Sequence, residues 1–138
     1  MKKLEILIGD DAFLEAFTIM TFNDVYIPRL KEGLKEYEVN VKIETNPEKV
    51  VQEASKYDVV VTDLDYTGDA RGKQGYEVVD AVAKIDPKPL LILCTSSDNY
   101  TEIKERTEGK IDYHAGPNGL HKFDDLIGIL IDHYKKEI

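Results

Sequence analysis

The chain has 138 residues, 42% of them apolar and 33% charged, with no low-complexity tract, which predicts one folded domain over residues 1–138 and excludes general disorder. Its formal net charge of -9 repels phosphate backbones and anionic headgroups, which argues against nucleic acid and membrane surfaces as partners. The lone cysteine, Cys94, rules out an internal disulfide or a cysteine-held zinc or iron site, and its apolar neighbours make it a buried small hydrophobe.

Leu4 to Ile8 is a short apolar run that ends in Gly9-Asp10-Asp11, a strand opening into acidic residues. With only Met1-Lys2-Lys3 before it, this run is too short for a secretion signal or a membrane span, so a cytoplasmic location is expected. Phe13, Ala16, Phe17 and Met20 then recur at helical spacing, and Leu30 and Leu34 continue the pattern past Pro28, predicting a long helix kinked or broken near that proline. Val39, Val41 and Ile43 alternate with polar residues, as in a half-buried strand at or near a sheet edge. Asn46-Pro47-Glu48 signals a helix start, with a capping side chain, a proline at the first position and an acid at the positive end of the dipole; Val50, Val51 and Ala54 follow.

Asp58 to Asp63 is a β-branched run of the kind found in central parallel strands. The segment from Tyr66 to Gly75 reads as a loop, and Val78, Val79, Val82 and Ile85 as one face of the helix after it, stopped by Pro87 and Pro89. Pro89 to Thr95 predicts another buried strand, Asp98 to Glu108 an amphipathic helix, and Ile111 to Ala115 a short fifth strand. From Leu120 to Tyr134, Leu120, Phe123, Leu126, Ile127, Leu130 and Tyr134 form one helical stripe. Five alternations of strand and helix predict an α/β domain: a doubly wound, five-stranded parallel sheet with helices on both faces.

Ligands of such sheets bind where loops leave the carboxyl ends of the strands. Asp10 and Asp11 follow the first strand, Asp63 ends the third with Asp65 beyond it, and Thr95-Ser96 ends the fourth. Carboxylates gathered there repel one another unless a cation intervenes, and hard oxygen ligands suit Mg²⁺, which neutralises the charge that develops when a carboxylate such as Asp63 attacks a phosphoryl donor. The competing explanation makes each aspartate a helix or turn cap. His114, His121 and His133 are too irregularly spaced for a metal site, and His133 is expected to face solvent.

Across almost its whole length the chain resembles the receiver domain of two-component response regulators, a flavodoxin-like fold. Ile6-Leu7-Ile8-Gly9-Asp10-Asp11 resembles that family's first strand and acidic pair, which implies that Asp11 contacts the metal with Asp10 alongside. Asp58-Val59-Val60-Val61-Thr62-Asp63 is similar to its third strand, which implies Asp63 as phosphoryl acceptor and ligand, and Asp65 as the residue offering its backbone carbonyl to Mg²⁺. Gly75-Tyr76-Glu77 matches the glycine-plus-acid motif that follows; Thr95 takes the place of the hydroxyl that bonds the phosphoryl group, and Tyr113 that of the switch aromatic.

The chain departs from the pattern twice. The loop after Asp63 is longer than usual, with Tyr66-Thr67 in place of Met-Pro, and Gly116 stands where the family has its lysine. Lys122 is the candidate replacement, with Lys73 a weaker one. The resemblance implies a histidine kinase or phosphotransfer protein as donor, a monomer or weak homodimer, and output by protein binding through a face carrying Tyr100, Tyr113 and His121, with at most self-dephosphorylation as enzymatic activity. Two alternatives stand beside it. One is a pseudo-receiver that docks partners without phosphorylation, favoured by Gly116. The other is a haloacid dehalogenase-like phosphatase, since Asp63-Leu64-Asp65-Tyr66-Thr67 resembles that family's first motif, although its motifs would be permuted here.

Overall fold

The computed structural model describes residues 1–66, 74–117 and 121–136. Five strands, β1 (Lys2–Gly9), β2 (Tyr37–Glu44), β3 (Val59–Thr62), β4 (Leu90–Cys94) and β5 (Tyr113–Ala115), form one parallel sheet in the order β2-β1-β3-β4-β5. The chain steps outward from β1 to β2, then crosses back to β3, so the direction of winding reverses between β1 and β3. That reversal opens a crevice at the carboxyl ends of these two strands.

Alternation along each strand divides the core in two. Ile6, Ile8, Val59, Val61, Ile92 and Cys94 face one side, where α2 (Ile27–Gly33) and α6 (Lys122–Lys135) cover them with Leu30, Phe123, Leu126, Ile127 and Leu130. Leu7, Val60, Leu91 and Leu93 face the other, under α3 (Pro47–Glu53), α4 (Gln74–Val82) and α5 (Tyr100–Thr107). Each such aliphatic side chain, fully withdrawn from water, contributes about 1.5–3 kcal/mol. The edge strand β2 is only half covered, as its alternating sequence predicts.

The segment after Asp11 differs from its sequence pattern. A 3₁₀ turn, Asp11–Leu14, ends at an extended Glu15, and α1 (Ala16–Thr21) starts afresh. It continues through a π-helical turn, Phe22–Tyr26, in which the Ile27 N–H reaches the Phe22 carbonyl, and so into α2. This turn lies just ahead of Pro28, whose missing N–H would otherwise break the α-helical ladder. The interruption at Glu15 changes the phase of the helix: Phe13 is buried, but Ala16, Phe17 and Met20 are exposed, and Phe22, Tyr26 and Leu30 fill the core instead.

Asn46 caps α3 through its side chain as expected. The helix after the long loop starts at Gln74, before Gly75 rather than after it, and α5 begins at Tyr100 without a side-chain cap from Asn99. Leu120 and Lys73 lie outside the described residues. Among the described residues, no helix is long and apolar enough to cross a membrane.

Candidate functional site

The site is built from three strand ends and one helix start. At the end of β1, Asp10 donates its N–H to the Glu44 carbonyl (3.0 Å) and turns the chain, its Oδ1 accepting from the Ala12 N–H at 2.9 Å. At the end of β3, the Asp63 N–H donates to the Gly9 carbonyl at 2.8 Å, which extends the β1–β3 pairing by one residue and sets the two acids side by side. Asp10 is 1% exposed and Asp63 8%, while Asp11 is only partly covered. One oxygen from each of Asp10, Asp11 and Asp63 lies within 4.8 Å of the other two.

The compensating charge comes from α6. Lys122, the first residue of that helix, brings its Nζ to 2.6 Å from Asp10 Oδ2 and 3.7 Å from Asp63 Oδ1. Gly116 shows why no side chain comes from its own position. Its φ is +101°, and a Cβ there would run into the Thr95 carbonyl oxygen and, at 2.9 Å, into Lys122 Cβ. The close approach that excludes a side chain at residue 116 therefore seats Lys122 beside the acids. The Gly116 N–H is held by Asp125 Oδ2 at 2.8 Å, which ties the end of β5 to the first turn of α6.

One ammonium does not balance three carboxylates. Burial first, and then the nearby Asp10, push the Asp63 carboxyl up to about 7, with Lys122 and the Leu64 N–H pulling only partly the other way. Burial, Asp10 and Asp65 likewise hold Asp11 above the ordinary carboxylate range. Burial on its own would lower the Lys122 ammonium, yet Asp63 and Asp10 beside it lift it above the ordinary lysine range. Hard oxygen donors that converge in excess of the nearby positive charge are a donor set able to hold a divalent metal.

Thr95, 5% exposed at the end of β4, donates its N–H to the Ala115 carbonyl (3.0 Å) and accepts from the Ser97 N–H through Oγ1 (3.2 Å). Tyr113, on β5, is half-buried and bonded through its hydroxyl to His133 Nδ1 at 2.9 Å. His133 is thus not turned to solvent as its place near the chain's end suggested: it packs edge-on against both Tyr113 and Tyr134. Tyr100 lies near His114, whereas His121 stacks on Tyr26 of the π-helical turn, so the three residues expected on one face meet three different neighbours.

Two residues beside the site carry no role in the sequence reading. Tyr66 is 5% exposed, its hydroxyl 2.7 Å from Thr62 Oγ1, in space that exists because residue 9 is glycine. The signals that could have found them are an aromatic three residues beyond Asp63 in a glycine-rich polar segment, and a threonine as the last residue of an otherwise aliphatic strand.

No protein-family model matches the chain, and no curated protein matches it in sequence. Solved structures do. The response regulator DrrB of Thermotoga maritima, an OmpR/PhoB homolog, superposes with a TM-score of 0.64 at 18% identity, over 99% of this chain and 54% of that one, so this chain spans about half of DrrB's length. The receiver domain of the Francisella response regulator 1452 gives 0.64 at 17% identity, over 98% of this chain and 99% of that one. The Salmonella typhimurium response regulator RcsB gives 0.64 at 20%, over 99% and 62%. The fold of this chain is that of response-regulator receiver domains.

Proposed function

We propose that this chain is a phosphoryl-accepting receiver domain in a two-component relay, with Asp63 as the acceptor. The observation that carries the reading is the convergence of Asp10, Asp11 and Asp63 with the Lys122 ammonium at the winding reversal of a receiver fold. A carboxylate oxygen of Asp63 attacks the phosphorus of the donor, the bond from phosphorus to the donor's leaving atom breaks (an imidazole nitrogen of a phosphohistidine, or a carboxylate oxygen of acetyl phosphate), and an acyl phosphate remains on Asp63. Lys122 offers its ammonium to the charge that builds on the transferring group, and Thr95 offers a hydroxyl from the neighbouring strand end. Mg²⁺, held by Asp10, Asp11, Asp63 and the backbone carbonyl of Asp65, would neutralise part of that charge when bound.

A histidine kinase or phosphotransfer protein is the fitting donor, and the output is protein binding. The pseudo-receiver alternative drew its support from the missing lysine at residue 116, and an ammonium within 3.7 Å of Asp63 removes that support. Incubation with acetyl phosphate and Mg²⁺, followed by intact-mass measurement, tests the proposal. The parent gains one phosphoryl group and Asp63→Asn gains none; a folded parent whose mass does not change refutes it.

A further inference from the structure

The peptide group between Asp63 and Leu64 is held at both ends. Its N–H donates to the carboxylate of Asp63 itself, at 2.8 Å to Oδ1, and its C=O accepts from Thr62 Oγ1 at 2.9 Å. Carbonyl and N–H belong to one rigid plane, so whatever aims the first also aims the second. Thr62 has one hydroxyl proton and spends it on this carbonyl. The 2.7 Å contact between Thr62 Oγ1 and the Tyr66 hydroxyl must therefore be donated by Tyr66. The order is fixed as Tyr66 to Thr62 to the Asp63 carbonyl, a chain in which each bond polarises the next.

All three members are shut away from water: Thr62 is 0% exposed, Tyr66 5% and Asp63 8%. The surroundings are cut to fit. A Cβ on Gly9 would strike the Tyr66 hydroxyl, and a Cβ on Gly75 would strike the Asp63 carbonyl oxygen and the Leu64 Cα. The Gly75 N–H closes the far stem of the loop on the Leu64 carbonyl at 2.7 Å.

Resting on the reading of Asp63 as phosphoryl acceptor, we propose that Tyr66 is a positioning residue for it. Through Thr62 it fixes the Asp63–Leu64 peptide, whose N–H holds the Asp63 carboxylate in the rotamer from which it attacks. Tyr66 keeps the nucleophile aimed while the chain departs into its extended loop.

Two readouts test the relay on the full chain. With acetyl phosphate and Mg²⁺, Tyr66→Phe keeps the ring and loses the hydroxyl, and lowers the maximal rate of phosphoryl uptake about tenfold at an unchanged half-saturating acetyl phosphate concentration. Thr62→Val does the same, Thr62→Ser restores the parental rate, and the double variant Tyr66→Phe/Thr62→Val is no slower than either single one. In nitrogen-edited NMR spectra the Leu64 amide proton moves upfield in Tyr66→Phe and Thr62→Val alike. Parental kinetics in Tyr66→Phe, or a double variant whose loss is the product of the single losses, overturns the proposal. Should the parent accept no phosphoryl group, the proposed function fails by itself; the Leu64 amide then decides the relay alone, and an unmoved resonance in Tyr66→Phe refutes it.

Discussion

At each end of the sheet a lysine Nζ lies 2.6 Å from an aspartate oxygen, Lys88 from Asp112 at the amino end and Lys122 from Asp10 at the carboxyl end. The side chains of the first pair are 29% and 40% exposed, and Asp112 Oδ2 also takes the Leu91 N–H. Nearby, Asp58 Oδ2 accepts the Glu5 N–H at 2.8 Å. Both of these aspartates have a local task, tying one strand to the next. At the other end, the side chain of Lys122 is 16% exposed and that of Asp10 2%, and two further carboxylates share the same ammonium's field. Equal distances thus mark opposite situations: one pair is a solvated clasp, the other lies in a crowded pocket short of positive charge. Shortage of charge, rather than the ion pair, sets the carboxyl end apart as the candidate site.

The largest effect expected from breaking this comparison comes from its two lysines. Lys122→Met strands buried carboxylates and lowers stability by about 3 kcal/mol near neutral pH without metal, whereas Lys88→Met costs less than about 1 kcal/mol. Urea unfolding in the presence of a chelator measures both. Equal losses would erase the distinction.

Next comes Asp63→Asn, which should stabilise. The Asp63 carboxyl titrates at about 7 in the folded chain, against an ordinary value of 3.8. The folded state therefore holds a proton that the unfolded chain gives up, and parental stability falls as pH rises from about 4 to about 7, then levels off. The amide of the variant has nothing to titrate, so its advantage grows across that window and is constant above it. Unfolding curves at several pH values read it directly, and a gap that does not change with pH would contradict it.

Another small effect, like that of Lys88→Met, belongs to the amino end. Asp58→Ala removes the acceptor of one partly exposed N–H and costs about 1 kcal/mol, with the rate of phosphoryl uptake unchanged.

Strands carried most of what was legible in the sequence. The β-branched run of β3 and the apolar run of β4 are long, unbroken and bounded by polar residues, so period and composition agreed. The first helix was less legible because apolar residues lie on two sides of it. Phe13, Ala16, Phe17 and Met20 make one helical stripe and Phe22, Tyr26 and Leu30 another. Only the extended Glu15, a backbone event with no strong residue signal, decides which is buried. The acids at the strand ends were legible because an open α/β sheet gathers its strand ends in one place. Lys122 was visible only as a candidate, since its approach depends on the close packing at Gly116. Tyr66 was noted as a departure in the loop but given no role, because its use lies in a hydrogen bond with Thr62 that no spacing rule reveals.

A lysine rooted in the sheet would share the sheet's stiffness. Lys122 is rooted in the first turn of α6, a helix that rests on the sheet through Phe123, Leu126, Ile127 and Leu130 and is clasped to α2 by the Arg29–Asp124 pair. The ammonium therefore travels with that helix. A tilt of α6 moves charge into or out of the acid pocket, and a change in the pocket's charge pulls back on the helix. Charge at the acids and the seating of α6 therefore meet in one side chain.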